Sequence, residues 1–148
     1  MNEQDKQLLL KDLCVRLPYG IKVLYNEINC VIENIGRDGS ISLISDDTIH
    51  KKAIYLTSIE YIKPYLRPMS SMTEEEKDEM FGICTLSDCS GNTDWETVGV
   101  EIMSSHPRYG DHYSTDYSAI DSLNKNMFDY RRLIEKGLAL ETPNKLYK

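Results

Sequence analysis

No apolar run in this chain approaches the ~20 residues needed to cross a bilayer as a helix. The leucine run Leu8-Leu9-Leu10 is only three residues, with Lys6 and Lys11 close on either side. The opening Met1-Asn2-Glu3-Gln4-Asp5-Lys6 lacks the basic start and apolar stretch of a secretory signal, so the expected location is the cytoplasm, with no membrane partner. Glycine is scattered. Its eight copies form neither a G-x-G-x-x-G nor a G-x-x-x-x-G-K run, which leaves the common nucleotide-phosphate loops unsupported. An excess of positive charge is missing too. Residues 1–69 balance nine Lys+Arg against nine Asp+Glu, and residues 70–148, with eight against fifteen, carry the whole net charge of −7. Binding to a phosphate backbone needs the opposite sign, so a nucleic-acid partner is disfavoured.

What remains is an ordinary globular composition. Hydrophobic residues at 41% and charged residues at 28% can bury a core, and 148 residues suffice for one domain or two small subdomains. Cys14, Cys30, Cys84 and Cys89, in a chain expected in a reducing compartment, read as packing thiols rather than disulfides.

The spacing predicts a helix over 3–16. Leu8, Leu9, Leu10, Leu13, Cys14 and Leu17 form its apolar stripe, Lys6, Lys11 and Asp12 fall outside, and Pro18 and Gly20 end it. Core packing is the first use for such a stripe, and a partner helix the alternative. Strands follow at Ile21–Tyr25, Cys30–Ile35, Ile41–Ser45 and Ala53–Leu56, with an Asp38-Gly39 hairpin signal between the second and third. A helical turn at Ser58–Ile62 and a closing segment at Lys63–Pro68 complete the order of a small SH3-like antiparallel β-barrel.

Met69-Ser70-Ser71-Met72 reads as a hinge, and Thr73-Glu74-Glu75-Glu76 as a capping box opening a second helix that runs to about Phe81. One strand is expected at Thr97–Met103 and a polar loop over 104–116. Helices are expected at Tyr117–Phe128 and Arg131–Lys136, the latter ended by Gly137, with Leu138-Ala139-Leu140 packing back. The fold class is therefore α+β. A helix and small barrel occupy 1–69, and an acidic, mainly helical part occupies 70–148, each leaving an apolar face that the other would cover as one unit.

Two groupings could carry chemistry. Cys84-x4-Cys89 followed by His106-x5-His112 has the donor types of a tetrahedral zinc site. The spacings lie at or beyond the edge of the finger ranges, and Pro107 and Gly110 keep the histidines off a helix. Coincidence is the better account, and no cofactor is expected. A cysteine nucleophile in the same stretch would sit among Asp88, Asp94 and Glu96, which oppose a thiolate. The second grouping comes from the chain's oddest bias, ten tyrosines against two phenylalanines. Tyrosine pairs a broad apolar face with a polar tip, as recognition surfaces do. Arg108, Tyr109, His112, Tyr113 and Tyr117 are the candidate binding residues, and half-buried rim positions are the alternative for the tyrosines generally.

Three stretches carry a resemblance: Asp12 to Gly20 (DLCVRLPYG), Arg67 to Glu75 (RPMSSMTEE) and Phe128 to Leu140 (FDYRRLIEKGLAL). Together they resemble uncharacterised short cytoplasmic proteins of gut Bacteroidales, their phages and mobile elements. The resemblance implies a bacterial or phage accessory protein and no particular activity; the stretch 83–118 is not part of it. The expected function is non-enzymatic, a regulatory accessory protein acting on a protein partner. A nucleotide-type small-ligand binder and a zinc protein using the Cys/His set are the alternatives.

Overall fold

In the computed structural model, residues 1–46, 53–76, 120–143 and 146–147 are described. They divide into two compact units. One comprises Met1–Leu66 with Leu133–Lys148, and the other Arg67–Arg132.

The first unit begins with α1 (Glu3–Arg16), the span that its sequence periodicity predicts. Asn2 caps it by accepting the Asp5 N–H on its side-chain oxygen at 2.7 Å. Glu3 and Asp5 in the first turn and Arg16 in the last complement the helix dipole. A 3₁₀ turn over Leu17–Tyr19 follows, and Gly20 closes it in the left-handed region at φ 70°.

The buried face of α1 is Leu9, Asp12, Leu13 and Arg16, spaced as one helical stripe. It corrects the expected stripe at two positions: Asp12 is fully buried, and Cys14 is exposed. Arg16 makes the burial tolerable. Its Nε donates to Asp12 Oδ2 at 2.8 Å and its Nη2 to Oδ1 at 3.1 Å, with both side chains fully excluded from solvent. A lone carboxylate there would carry a prohibitive desolvation cost, and a forked arginine one turn along cancels most of it.

Among the described residues, six strands form one sheet in the order β4-β3-β2-β1-β5-β6. They are β1 (Lys22–Tyr25), β2 (Ile28–Ile35), β3 (Ser40–Ser45), β4 (Ile54–Ser58), β5 (Ile62–Leu66) and β6 (Leu140–Glu141). The β1–β2 hairpin turns on Asn26 and Glu27, both at positive φ (47° and 65°), as a two-residue turn matched to strand twist requires. The Asp38-Gly39 signal makes the next hairpin: Gly39 sits at φ 83°, and Asp38 accepts from the Ser40 amide at 3.1 Å and its hydroxyl at 2.6 Å. A bulge between Ile32 and Asn34 leaves Glu33 and Asn34 in solvent and still sets Ile35 opposite the buried Ile41.

One face of the sheet carries the core. Val23, Cys30, Ile41, Leu43 and Leu66 are fully buried, as are Ile21 and, from α1, Leu9 and Leu13. Each such aliphatic side chain contributes roughly 1.5–3 kcal/mol by leaving water.

The strands follow the expected order, and a short 3₁₀ turn at Ile59–Tyr61 precedes β5, yet the sheet is open and mixed. A closed antiparallel barrel would pair β4 with the far edge of β5. That edge is occupied by β6, which lies parallel to β5 with Tyr65 opposite Leu140 and Leu66 opposite Glu141. The Thr142 N–H extends the contact by donating to the Leu66 carbonyl at 2.8 Å.

In the second unit, Arg67 organises the backbone. Its N–H donates to the Met127 carbonyl at 2.8 Å, and its carbonyl accepts from Asp129 N–H at 2.7 Å, making a parallel bridge to Phe128. Its guanidinium lies 4.2 Å from the Phe128 ring centroid and grips Glu76 through two bonds of 2.7 and 2.9 Å. Met69 and Met72, expected in a hinge, are both buried. The capping box forms as its sequence predicts: Glu76 N–H donates to Thr73 Oγ1 at 3.2 Å, and Thr73 N–H to Glu76 Oε2 at 2.8 Å.

The expected helices near the end are corrected. Helix covers residues 120–125 among those described, then stops short of Phe128, because Met127 turns to φ 59° and redirects the chain to bridge Arg67. Residues 133–137 make turns in place of a fourth helix, with Arg132 at φ 58° just before them. Gly137 does take the left-handed conformation, at φ 69°, and Leu138 and Ala139 are buried as anticipated. An acidic, mainly helical second part is thus not what the described residues form. The strand expected at Thr97–Met103 lies outside them.

Candidate interaction surface

The residues singled out for binding, Arg108, Tyr109, His112, Tyr113 and Tyr117, lie outside the described residues, as do Cys84, Cys89, His106 and His112 of the zinc alternative. Among the described residues, no group of three or more His, Cys, Asp or Glu side chains is placed to hold a metal ion. No described helix is long and apolar enough to cross a membrane.

Several described tyrosines serve the fold. The Tyr65 hydroxyl donates to Asn29 Oδ1 at 2.9 Å, and that of Tyr130 to Asn124 Oδ1 at 2.9 Å. Tyr147 does more. The β1–β5 ladder ends at Val23 opposite Pro64, and its next pair would be Lys22 with Tyr65. There the Tyr147 hydroxyl stands between the strands, accepting from Lys22 N–H at 2.9 Å and donating to the Tyr65 carbonyl at 2.9 Å. The Lys22 carbonyl is also near, at 3.3 Å. One phenol thus replaces a ladder bond and ties the segment after β6 to both strands. Burial raises its pKa well above the ordinary phenol range, and burial raises that of Tyr65 as well. Both hydroxyls hold strands in place.

Among the described residues, β4 presents an open surface. It is an edge of the sheet, and its outward side chains Ile54 and Leu56 are 70% and 73% exposed. Register explains the exposure. Ile44 lies opposite Ile54 and Ser42 opposite Leu56, on the face away from the core, while Tyr55 pairs with the buried Leu43 and turns inward. The Tyr55 ring also lies 5.6 Å from that of Tyr25.

The backbone of β4 is aimed in the same alternation. The Ser45 N–H donates to the Ala53 carbonyl at 3.0 Å, so Ser45/Ala53 is a hydrogen-bonded pair, and by antiparallel alternation so are Leu43/Tyr55 and Ile41/Thr57. The amides and carbonyls of Ile54, Leu56 and Ser58 therefore point off the edge of the sheet. On the outward face Val31, Ile44 and Ile54 form a continuous apolar row across β2, β3 and β4.

The strand Ala53–Leu56 is legible in the sequence, but its outward apolar pair is not singled out by strand patterning. A further signal was available. Ala53 to Ile59 holds no charged residue, and neither does Ser40–Ser45, in a chain that is 28% charged. Natural edge strands usually carry lysine, proline or a bulge that blocks pairing, and β4 has none of these. Set against protein-family models, curated proteins and solved structures, the chain matches none.

Proposed function

We propose that this chain is a non-enzymatic accessory protein acting by protein–protein interaction in the cytoplasm, with β4 as its docking edge. The exposure of Ile54 and Leu56 on an uncharged edge strand carries this reading. An added strand would gain main-chain hydrogen bonds from Ile54, Leu56 and Ser58, and its alternate side chains would cover the Val31–Ile44–Ile54 row. The five-strand order β4-β3-β2-β1-β5 fits an SH3-like β core, an analogy of fold that says nothing of the partner. A bacterial, phage or mobile-element setting follows from the resemblance of the Asp12–Gly20, Arg67–Glu75 and Phe128–Leu140 stretches.

A photo-crosslinking side chain placed at Leu56, and separately at the exposed Glu33 of β2, tests the reading in cells. A discrete adduct from position 56 that is missing from position 33 is the expected result. Identical patterns from both positions, or no adduct from either, would remove β4 from consideration.

A further inference from the structure

We propose that the Tyr147 phenol is a removable wedge between β1 and β5. Its withdrawal lets the two strands pair directly at Lys22 and Tyr65 and loosens β6 from the outer edge of β5. This conformational device is independent of the reading of β4.

The backbone is already aimed for the second state. Ile21 gives its carbonyl to the Ile32 N–H of β2 at 3.1 Å, so by strand alternation the N–H and carbonyl of Lys22 point the other way, towards β5. Leu66 gives its carbonyl to the Thr142 N–H on the β6 side at 2.8 Å, so the N–H and carbonyl of Tyr65 point back towards β1. Val23 stands opposite Pro64, which has no N–H to exchange. Lys22 with Tyr65 is therefore the next hydrogen-bonded pair in register. The phenol occupies that position. Two bonds of 2.9 Å in series, from the Lys22 N–H to the hydroxyl and from the hydroxyl to the Tyr65 carbonyl, stand where one ladder bond would join the strands.

Withdrawal exchanges bonds and orphans no backbone group. The Lys22 N–H passes from the phenol to the Tyr65 carbonyl, and the phenol passes to water. The hold on the segment that carries Tyr147 is local. β6 meets β5 through two residue pairs and the Thr142 amide, and the Leu146 N–H turns back on the Pro143 carbonyl at 3.2 Å just before the phenol. Among the described residues, the buried Thr142 hydroxyl has no hydrogen-bond partner, which weakens that contact further.

Amide exchange and scalar couplings across hydrogen bonds test the wedge on the full chain, as wild type, Tyr147→Phe and Tyr147→Gly. A phenyl ring keeps the strands apart and supplies no oxygen, whereas glycine vacates the gap. The Lys22 N–H should exchange roughly tenfold more slowly in Tyr147→Gly than in Tyr147→Phe. A coupling from the Lys22 nitrogen to the Tyr65 carbonyl carbon should appear in the glycine variant alone. The Thr142 N–H should exchange faster in that variant than in wild type, while the Ile32 N–H stays slow.

A phenol that served only as a fixed bond would give the opposite order, because the larger truncation would do the greater harm. Lys22 exchanging fastest in Tyr147→Gly with no coupling to Tyr65, or a glycine variant that does not fold, overturns the proposal. Unchanged Thr142 exchange in a folded glycine variant overturns the link between the wedge and β6.

Discussion

Each unit contains an arginine that grips a carboxylate through two hydrogen bonds, and the two pairs differ in almost every other respect. Arg16 and Asp12 lie one helical turn apart on α1 with neither side chain exposed. Arg67 and Glu76 are nine residues apart, joined across irregular backbone, and remain 24% and 25% exposed. Burial decides what each pair does. The first is a repair: Asp12 occupies the core face of α1, and Arg16 makes that bearable. The second is an organiser. Its guanidinium also stacks on Phe128 while its backbone N–H and carbonyl bridge Met127 and Asp129, so one residue joins two stretches distant in sequence.

The sharpest way to break the comparison is at Arg16. Arg16→Met takes the two-bond fork from a buried carboxylate and should cost about 3–5 kcal/mol in urea unfolding, whereas the double change Asp12→Leu with Arg16→Met should recover most of it. Equal loss in the single and double variants would mean that Arg16 matters through contacts other than Asp12.

Next in size is Tyr147→Phe. It removes the hydroxyl between Lys22 and Tyr65 and leaves two backbone groups unpaired, at about 1–3 kcal/mol. Its pH signature has a definite sign. A phenol whose pKa is raised on folding stabilises fully below its ordinary value of 10, and that contribution is lost as the pH climbs above it. Alkaline unfolding should therefore begin near pH 10 in the wild type and be shallower in the phenylalanine variant. Identical alkaline limbs would contradict the burial of Tyr147.

The smallest effect is expected at Arg67→Lys, which keeps the charge and loses the fork, at roughly 1–2 kcal/mol. Hydrogen bonding from Arg67 is the main cause holding the Glu76 carboxyl below its ordinary 4.5. The stability it lends is present above that value and disappears as the pH falls through the lowered one. Amide exchange at Asp129 should accelerate in acid before that of the sheet core, and in the lysine variant this should begin at a higher pH. Acid-insensitive exchange at Asp129 would detach Glu76 from the organisation of this region.

Legibility follows the same divide. Local signals, which are complete within a few residues, translated directly: the span of α1, the Asp38-Gly39 turn, the Thr73–Glu76 capping box and the left-handed Gly137. Asp12 was misplaced because a charged residue reads as solvent-facing unless its partner is known to be buried beside it. The helix expected through Phe128 ended early because Met127 takes positive φ, and only the bridge to Arg67 rewards that turn. The candidate loop residues near Tyr109 rest on composition, while the open edge at Ile54 and Leu56 depends on which strands flank β4.

Sequence by itself determined an α+β chain with a helix first, strands at the alternating apolar segments, and the net negative charge confined to residues 70–148. Hydrophobic period, turn chemistry and capping are short-range, so they are written where they act. Tertiary structure alone decided that β6 takes the free edge of β5, that Tyr147 completes the β1–β5 ladder, and that β4 stands at an edge of the described sheet. Each of those outcomes joins residues tens of positions apart, and no local pattern specifies which distant segment will arrive to satisfy a strand edge.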